Sequence, residues 1–240
     1  MKEIMSDWEN EDWTYSAKRI VSWVKALDPD QPVMLLIRHS HRDVLKDQKD
    51  MLGGGITELG RELSIEMGRQ LPKSREAYFF FSIVPRCYET AEAMAQGFSE
   101  NGGEVIDMDT LPTLVRPEYT LDEVWNNLQP NGENVTEFVN RWAAGELEGI
   151  EPFSEFQERL MDDTLRRFCS LQESIMHIHV THDLSLMAAK RMLFDRPLEW
   201  EDREPFLGGL AMTLRKGEPS LYVSGIEELV SSALLKTKVS

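Results

Sequence analysis

Apolar positions along the chain follow two rhythms. Unbroken runs of five, at residues 33–37 (Val-Met-Leu-Leu-Ile) and 77–81 (Ala-Tyr-Phe-Phe-Phe), are too short to cross a membrane and fit strands buried on both faces. Elsewhere the apolar residues recur at helical spacing. Ile20, Val21, Trp23, Val24 and Leu27 make one stripe, over residues 15–27, which Asp28-Pro29-Asp30-Gln31-Pro32 breaks. Leu59, Leu63, Met67 and Leu71 make a second, opened by Thr57 as an N-cap and closed by Pro72. Cys87, Ala91, Met94 and Phe98 line a third, with Pro85 in its first turn. Phe156, Leu160, Leu165, Phe168 and Leu171 predict a long helix over residues 153–173, and residues 184–194 form a further one. Strands are expected at residues 104–108 and 175–181. From residue 111 to about 153 the pattern changes to two short helices, near 121–128 and 135–147, separated by Pro130-Asn131-Gly132. Two alternating runs around Lys216-Gly217-Glu218-Pro219 predict a β-hairpin, and residues 226–235 a final helix.

Strand and helix thus alternate through most of the chain, which implies an α/β fold. The expected architecture is a three-layer sandwich: a mostly parallel central sheet, helices on both faces, and an antiparallel C-terminal hairpin. A single domain over residues 1–240 is expected, with a helical extension at 1–32 and a helical cap inserted at about 111–153. The length allows a substantial core. A net charge of −16 argues against nucleic acid as a partner, yet leaves room for a locally basic pocket. Cys87 and Cys169 make no disulfide framework and read as reduced thiols. Residues 1–12 are acidic and lack the apolar core of a signal peptide. A cytoplasmic protein without a membrane partner is expected; the oligomeric state is left open.

Chemistry-bearing residues gather where the strands end. Arg38-His39-Ser40-His41-Arg42 directly follows the first run, where open α/β sheets bind ligands. Ending a buried strand on so many polar groups is costly without a ligand. Arg86 falls in the first turn of the helix after the second strand, and His182-Asp183 follows the strand at 175–181. Three arginines offer the planar forks that suit a phosphoryl group. A neutral imidazole among them can serve as nucleophile, because nearby cations disfavour imidazolium. Plainer readings stand beside these. Asp183 can be the N-cap of the helix after it. His177 and His179 face one way on a strand, as core residues do. His41 can pair with an acidic neighbour. Gly53-Gly54-Gly55 reads as a flexible turn, since no Lys-Ser/Thr follows as a P-loop requires.

Arg38-His39-Ser40-His41-Arg42 resembles the Arg-His-Gly-x-Arg signature of the histidine phosphatase superfamily, with Ser40 in place of the usual Gly. Ser82-x-x-x-Arg86-x-x-x-Thr90-Ala91 resembles its middle motif, Thr57-x-x-Gly60 its first helix, and His182-Asp183 the pair of its acid-phosphatase branch. The resemblance runs from residue 33 to about 194. It implies a phosphomonoester hydrolase that passes through a phosphohistidine, acts on a small phosphorylated metabolite or a phosphoprotein, and needs no metal or cofactor. By match to the motifs, His39 is the nucleophile, Arg38, Arg42, Arg86 and His182 bind phosphate, and Asp183 is the proton donor that an alkoxide needs. The mutase-type branch takes its donor from a Glu soon after the third strand. Arg116 stands there in this chain and Glu118 follows two residues later, which makes Glu118 the alternative donor. Mutase activity is less expected, because cations for a second phosphate are not evident. Insertions like 111–153 commonly cap the site in this family; Trp125 and Trp142 within it either select substrate or anchor the insertion.

Two other classes stay open. His39-x-His41 resembles the metal-binding pair of amidohydrolase barrels, and His177-x-His179-x-x-His182-Asp183 would complete a hydrolytic metal site. That reading lacks the eight βα units of a barrel and leaves the arginines unused. A non-catalytic phospho-ligand-binding protein would have the same pocket without turnover.

Overall fold

The computed structural model describes residues 7–46, 52–169 and 174–230. Helix α1 (Tyr15–Ala26) precedes strand β1 (Val33–Arg38). Then follow α2 (Glu58–Gln70), β2 (Ala77–Phe81), α3 (Pro85–Glu100) and β3 (Val105–Thr110). The inserted segment carries a 3-10 turn at Asp122–Asn127 and helix α4 (Val135–Ala143). Helix α5 (Phe153–Met161), β4 (Met176–Thr181), α6 (Asp183–Phe194), β5 (Gly209–Arg215), β6 (Glu218–Val223) and β7 (Ile226–Leu229) complete the order.

All seven strands join in one sheet, β3-β2-β4-β1-β5-β6-β7. The first four in chain order run parallel, and β5 to β7 antiparallel. Alternation along each strand sorts the core into two layers. Val33, Leu35 and Ile37 face α1, α2 and α3 with Phe79, Phe81, Ile178 and Val180. Met34 and Leu36 face the other side with Phe80 and residues of α4, α5 and α6. The expected three-layer α/β sandwich is what forms. No helix among the described residues is long and apolar enough to cross a membrane.

Three elements depart from the sequence expectation; the short helix near 121–128 is the 3-10 segment Asp122–Asn127. The final helix is instead strand β7, paired antiparallel to β6; the rest of the expected span, 231–235, lies outside the described residues. Ile226 and Leu229 have helical spacing but are 58% and 71% exposed, so no core face holds them in a helix. The long helix at 153–173 is interrupted: α5 passes into a π-helical turn at Asp162–Arg166 before Arg167–Cys169. There the Thr113 hydroxyl donates to the Asp163 carboxylate, and the Thr164 hydroxyl donates to the Leu160 carbonyl.

Strand register decides where the polar clusters meet. Arg38 lies beside Thr181 on β4, and Phe81 beside Val180. The residues after β1, β2 and β4 therefore emerge at one edge, where α3 and α6 also begin.

Candidate active site

His39 continues the ladder by one bond, from its backbone N–H to the Thr181 carbonyl at 2.9 Å. Its side chain is 2% exposed. Its Nδ1 lies 2.8 Å from the Ser40 carbonyl, which only accepts, so Nδ1 carries the proton and Nε2 keeps its lone pair. Burial, then the charges of Arg86 and Arg38 and the His182 ring, hold its pKa well below the ordinary histidine value. His39 is thus neutral, with a free basic nitrogen.

The same reasoning fixes His182, whose ring centroid is 5.6 Å from that of His39. Arg86 Nη2 donates to its Nδ1 at 3.0 Å, so Nε2 carries the proton and donates to Ser82 Oγ at 2.8 Å. Burial, Arg86, Arg38 and Arg42 keep this ring neutral as well. His182 thereby holds Arg86 in place.

Arg38 donates to the Glu204 carbonyl at 3.0 Å, stacks on Phe206 at 4.4 Å, and reaches Asp183 Oδ2 at 3.3 Å. Arg42 donates to Asn131 Oδ1 at 3.0 Å and to the Asp43 carbonyl at 2.8 Å. Burial, then Arg86 and Arg38, pull the Arg42 pKa down to about 10. Arg86 also donates to the Gly53 carbonyl at 3.3 Å. The Nε–H groups of Arg38, Arg42 and Arg86 are buried and have no protein acceptor. Burial lowers the pKa of all three arginines, and Arg38 adds to the effect on Arg42 and Arg86; with orphaned donors, they make a cluster suited to an anion.

Around the cluster, several expectations change in detail. Ser40, in the place of the family Gly, turns its hydroxyl to the Gly60 carbonyl at 2.7 Å, while its N–H donates to Thr90 Oγ1 at 2.9 Å. Thr57 caps α2, accepting from the Gly60 N–H. His41 pairs with the Thr57 hydroxyl at 2.8 Å and stacks on Trp13, not on an acid. The triple glycine is a docked loop, because the Glu89 carboxylate accepts from the Ile56 N–H. A Cβ on Gly55 would stand 2.1 Å from that carboxylate.

The two candidate donors have different surroundings. Asp183 is the first residue of α6, one past the N-cap position held by His182, so it is not a helix cap. It is 8% exposed. Arg203 donates twice to its Oδ2, at 3.0 and 2.8 Å, while Oδ1 is buried without a protein partner. Glu118 is exposed, and its backbone joins it to Glu151.

Sequence reasoning passed over Arg203, Asn131, Gly132, Phe206 and Glu204. Asn131 accepts from Arg42 and from the Leu45 N–H, and its carbonyl accepts from Arg203 at 2.7 Å. Gly132 has φ +71°, and a Cβ there would meet Asp183 Oδ2 at 2.8 Å. Glu204 holds Lys190 at 2.6 Å with one oxygen and Ser16 at 2.6 Å with the other. Only Pro130-Asn131-Gly132 left a trace in the sequence, as a break between helices.

The remaining candidates separate. His179 stacks on Phe80 at 4.8 Å and His177 lies 5.5 Å from that ring, in the core layer under α4 to α6. Burial lowers their pKa values to about 3 and about 4. They do not join His39 and His182, and no group of three or more metal-binding side chains occurs among the described residues. The tryptophans divide as well. Trp142 is an anchor, buried and bonded to the Glu151 carbonyl. Trp125 lines a cavity of about 500 Å³ that also contains Arg86 and His182.

No family model matches the chain, and no curated protein does. Solved structures match. YhfR of Bacillus stearothermophilus superposes with a TM-score of 0.55 at 20% identity, over 81% of this chain and 96% of that one. A phosphoserine phosphatase of Entamoeba histolytica, in a histidine-to-alanine mutant bound to phosphoserine, gives 0.54 at 14% identity, over 85% and 100%. Its complex with 3-phosphoglyceric acid gives 0.53 at 15% identity, over the same shares.

Proposed function

The chain has the fold of the histidine phosphatases, and from that premise we propose that it hydrolyses phosphomonoesters through a phosphohistidine formed on His39. The observation that carries the reading is the cluster of buried guanidiniums around a neutral imidazole, with three orphaned Nε–H donors. A phosphoryl group supplies the missing negative charge and the acceptor oxygens.

In this mechanism Arg38, Arg42 and Arg86 hold the equatorial oxygens, and His182 belongs to the same binding group by fixing Arg86. His39 Nε2 attacks phosphorus and the ester oxygen leaves; Nδ1 stays bonded to the Ser40 carbonyl, which stabilises the charge that develops on the ring. Asp183 protonates the leaving oxygen from the side that carries Oδ1. A bound dianion competes with the Asp183 carboxylate for Arg38. Asp183 then accepts the proton of the water that cleaves the phosphohistidine. Exposed Glu118 is less suited to this work than buried Asp183. No step requires a metal. The adjoining cavity of about 500 Å³ suits a small organic alcohol, so the substrate is a small phosphorylated metabolite.

The test is His39→Ala. Wild type incubated with phosphorus-labelled substrate acquires an acid-labile, base-stable label and turns substrate over, with chelator present. His39→Ala does neither. Full turnover by His39→Ala would refute the mechanism.

A further inference from the structure

Arginine and carboxylate commonly pair fork to fork, two N–H groups on two oxygens. Asp183 is held differently. Arg203 Nε and Nη2 both donate to Oδ2, at 3.0 and 2.8 Å, and Arg38 approaches the same oxygen at 3.3 Å. Oδ1 stays buried with no protein donor. The torsion that swings a carboxylate is broad and roughly two-fold, so an Asp without a partner presents either oxygen. A fork fixed on one oxygen removes that equivalence. Arg203 is itself fixed. Its Nη2 also donates to the Asn131 carbonyl at 2.7 Å, and its guanidinium lies 5.3 Å from the Trp200 ring centroid. Buried Lys190 pins both of its chain neighbours, donating at 2.6 Å to the Asp202 carbonyl and at 2.6 Å to Glu204 Oε1. Lys190 belongs to α6, the helix that begins with Asp183. Fork and carboxylate are thus mounted on one helix. Gly132 closes the remaining side, where a Cβ would stand 2.8 Å from Asp183 Oδ2 and 3.2 Å from Arg203 Nη2.

We propose that Arg203 is a positioning residue for the proton donor: seated on the Asn131 carbonyl, it grips Oδ2 so that Oδ1 alone faces the leaving oxygen. The inference rests on the phosphatase reading, with Asp183 as its acid. A pair that served stability alone would gain by occupying both oxygens, whereas a buried oxygen left unbonded costs free energy. Aim towards a reacting atom accounts for that cost. The inserted segment then has a task beyond covering the site. Its turn at 130–132 seats the fork, and the Asn131 side chain accepts from Arg42 at 3.0 Å, so one turn orients both the acid and a phosphate-binding arginine. Arg203 also lines a second cavity with Arg38 and Arg42. Direct contact with substrate is therefore the rival role, and KM separates the two.

The test is a double-mutant cycle of Arg203→Gln and Asp183→Asn, read as kcat and KM on an alkyl phosphate and on p-nitrophenyl phosphate, with thermal melts. Misplacing a catalytic group costs up to about a hundredfold. Arg203→Gln accordingly lowers kcat on the alkyl phosphate by roughly ten- to a hundredfold, and much less on p-nitrophenyl phosphate, with KM unchanged. In Asp183→Asn no acid remains to be aimed, so adding Arg203→Gln lowers alkyl turnover by no more than about twofold. Arg203→Lys keeps the cation and loses the fork; it shows the same selective loss, and it is read in place of Arg203→Gln if the latter does not fold. Equal losses on both substrates, or losses that multiply in the double variant, make Arg203 a purely structural residue and overturn the inference. A rise in KM at unchanged kcat makes it a substrate ligand and overturns the inference as well. In each of these cases Asp183→Asn keeps its own alkyl-selective loss, and the phosphatase reading stands. If Asp183→Asn alone shows no such loss, the assignment of the proton donor falls, and this inference with it.

Discussion

Asp183→Asn separates proton donation from the rest of the site. Asparagine nearly keeps the shape of aspartate and removes its charge and its titrating oxygen. In the structure Oδ2 accepts twice from Arg203 and lies 3.3 Å from Arg38, while Oδ1 has no protein donor. An amide oxygen in the Oδ2 position still accepts from Arg203, so the geometry survives with weaker bonds. Exchanging charge-assisted for neutral contacts costs about 1–3 kcal/mol of stability. The chemical effect is larger and selective. A positioned general acid contributes about 10²- to 10⁴-fold, or roughly 3–5 kcal/mol of barrier. That contribution is lost on alkyl phosphates, whose alkoxides need a proton. On p-nitrophenyl phosphate the leaving phenolate departs unaided, and kcat falls by less than about tenfold. The assay is kcat for both substrates in wild type, Asp183→Asn and Glu118→Gln, with thermal melts to confirm folding. Glu118→Gln, on the exposed surface, leaves both substrates unchanged. Equal losses on the two substrates in Asp183→Asn, or no loss on either, would refute the reasoning. An alkyl-selective loss in Glu118→Gln would move the donor there.

The anion site and the buried histidines give further expectations. Arg86→Gln weakens inorganic phosphate by roughly ten- to a hundredfold, the worth of one charge-assisted contact; unchanged affinity by calorimetry would remove Arg86 from the site. Acid stability follows from His177 and His179, whose folded pKa values are about 4 and about 3. Below the unfolded value near 6.5 the unfolded chain binds the extra protons, so stability is full above that pH and falls as pH drops towards the folded values. Each contributes up to about 1.4 kcal/mol per pH unit. Melting temperatures between pH 7 and 5 therefore decline, and His179→Phe flattens the decline; a pH-independent melting temperature would contradict the buried neutral state.

Much of this site was legible because its residues sit immediately after strands that announce themselves. The run at 33–37 fixes the position of Arg38 and His39, and the run at 77–81 that of Arg86, five residues past its end. Arg203 and Asn131 carried no such mark. Each lies in a turn without periodicity, and they meet only because α6 and the inserted segment pack at one edge of the sheet. The mistaken helix at 226–235 has a related cause. Spacing within a four-residue element cannot distinguish a helix from an edge strand, and pairing with β6 is a contact that a local window does not contain. The π-helical turn after α5 was hidden for the same reason, since its Thr113–Asp163 bond reaches fifty residues back along the chain.

The junction at Glu204 changes what the N-terminal extension is. The residue ties Ser16 of α1 and Lys190 of α6 through its two carboxylate oxygens, and Arg38 of β1 through its carbonyl. Although α1 buries an ordinary apolar stripe, its second residue is one bond away from the residue that seats Arg38, an arginine of the candidate site. If Arg38 binds the anion as proposed, order in α1 and occupancy of the site are linked variables, and linkage runs in both directions. A bound anion that steadies Arg38 steadies the extension, and an event that detaches α1 lowers the affinity for the anion. In the proposed mechanism, a helix that touches no reacting atom is thereby joined to the anion cluster through a single residue.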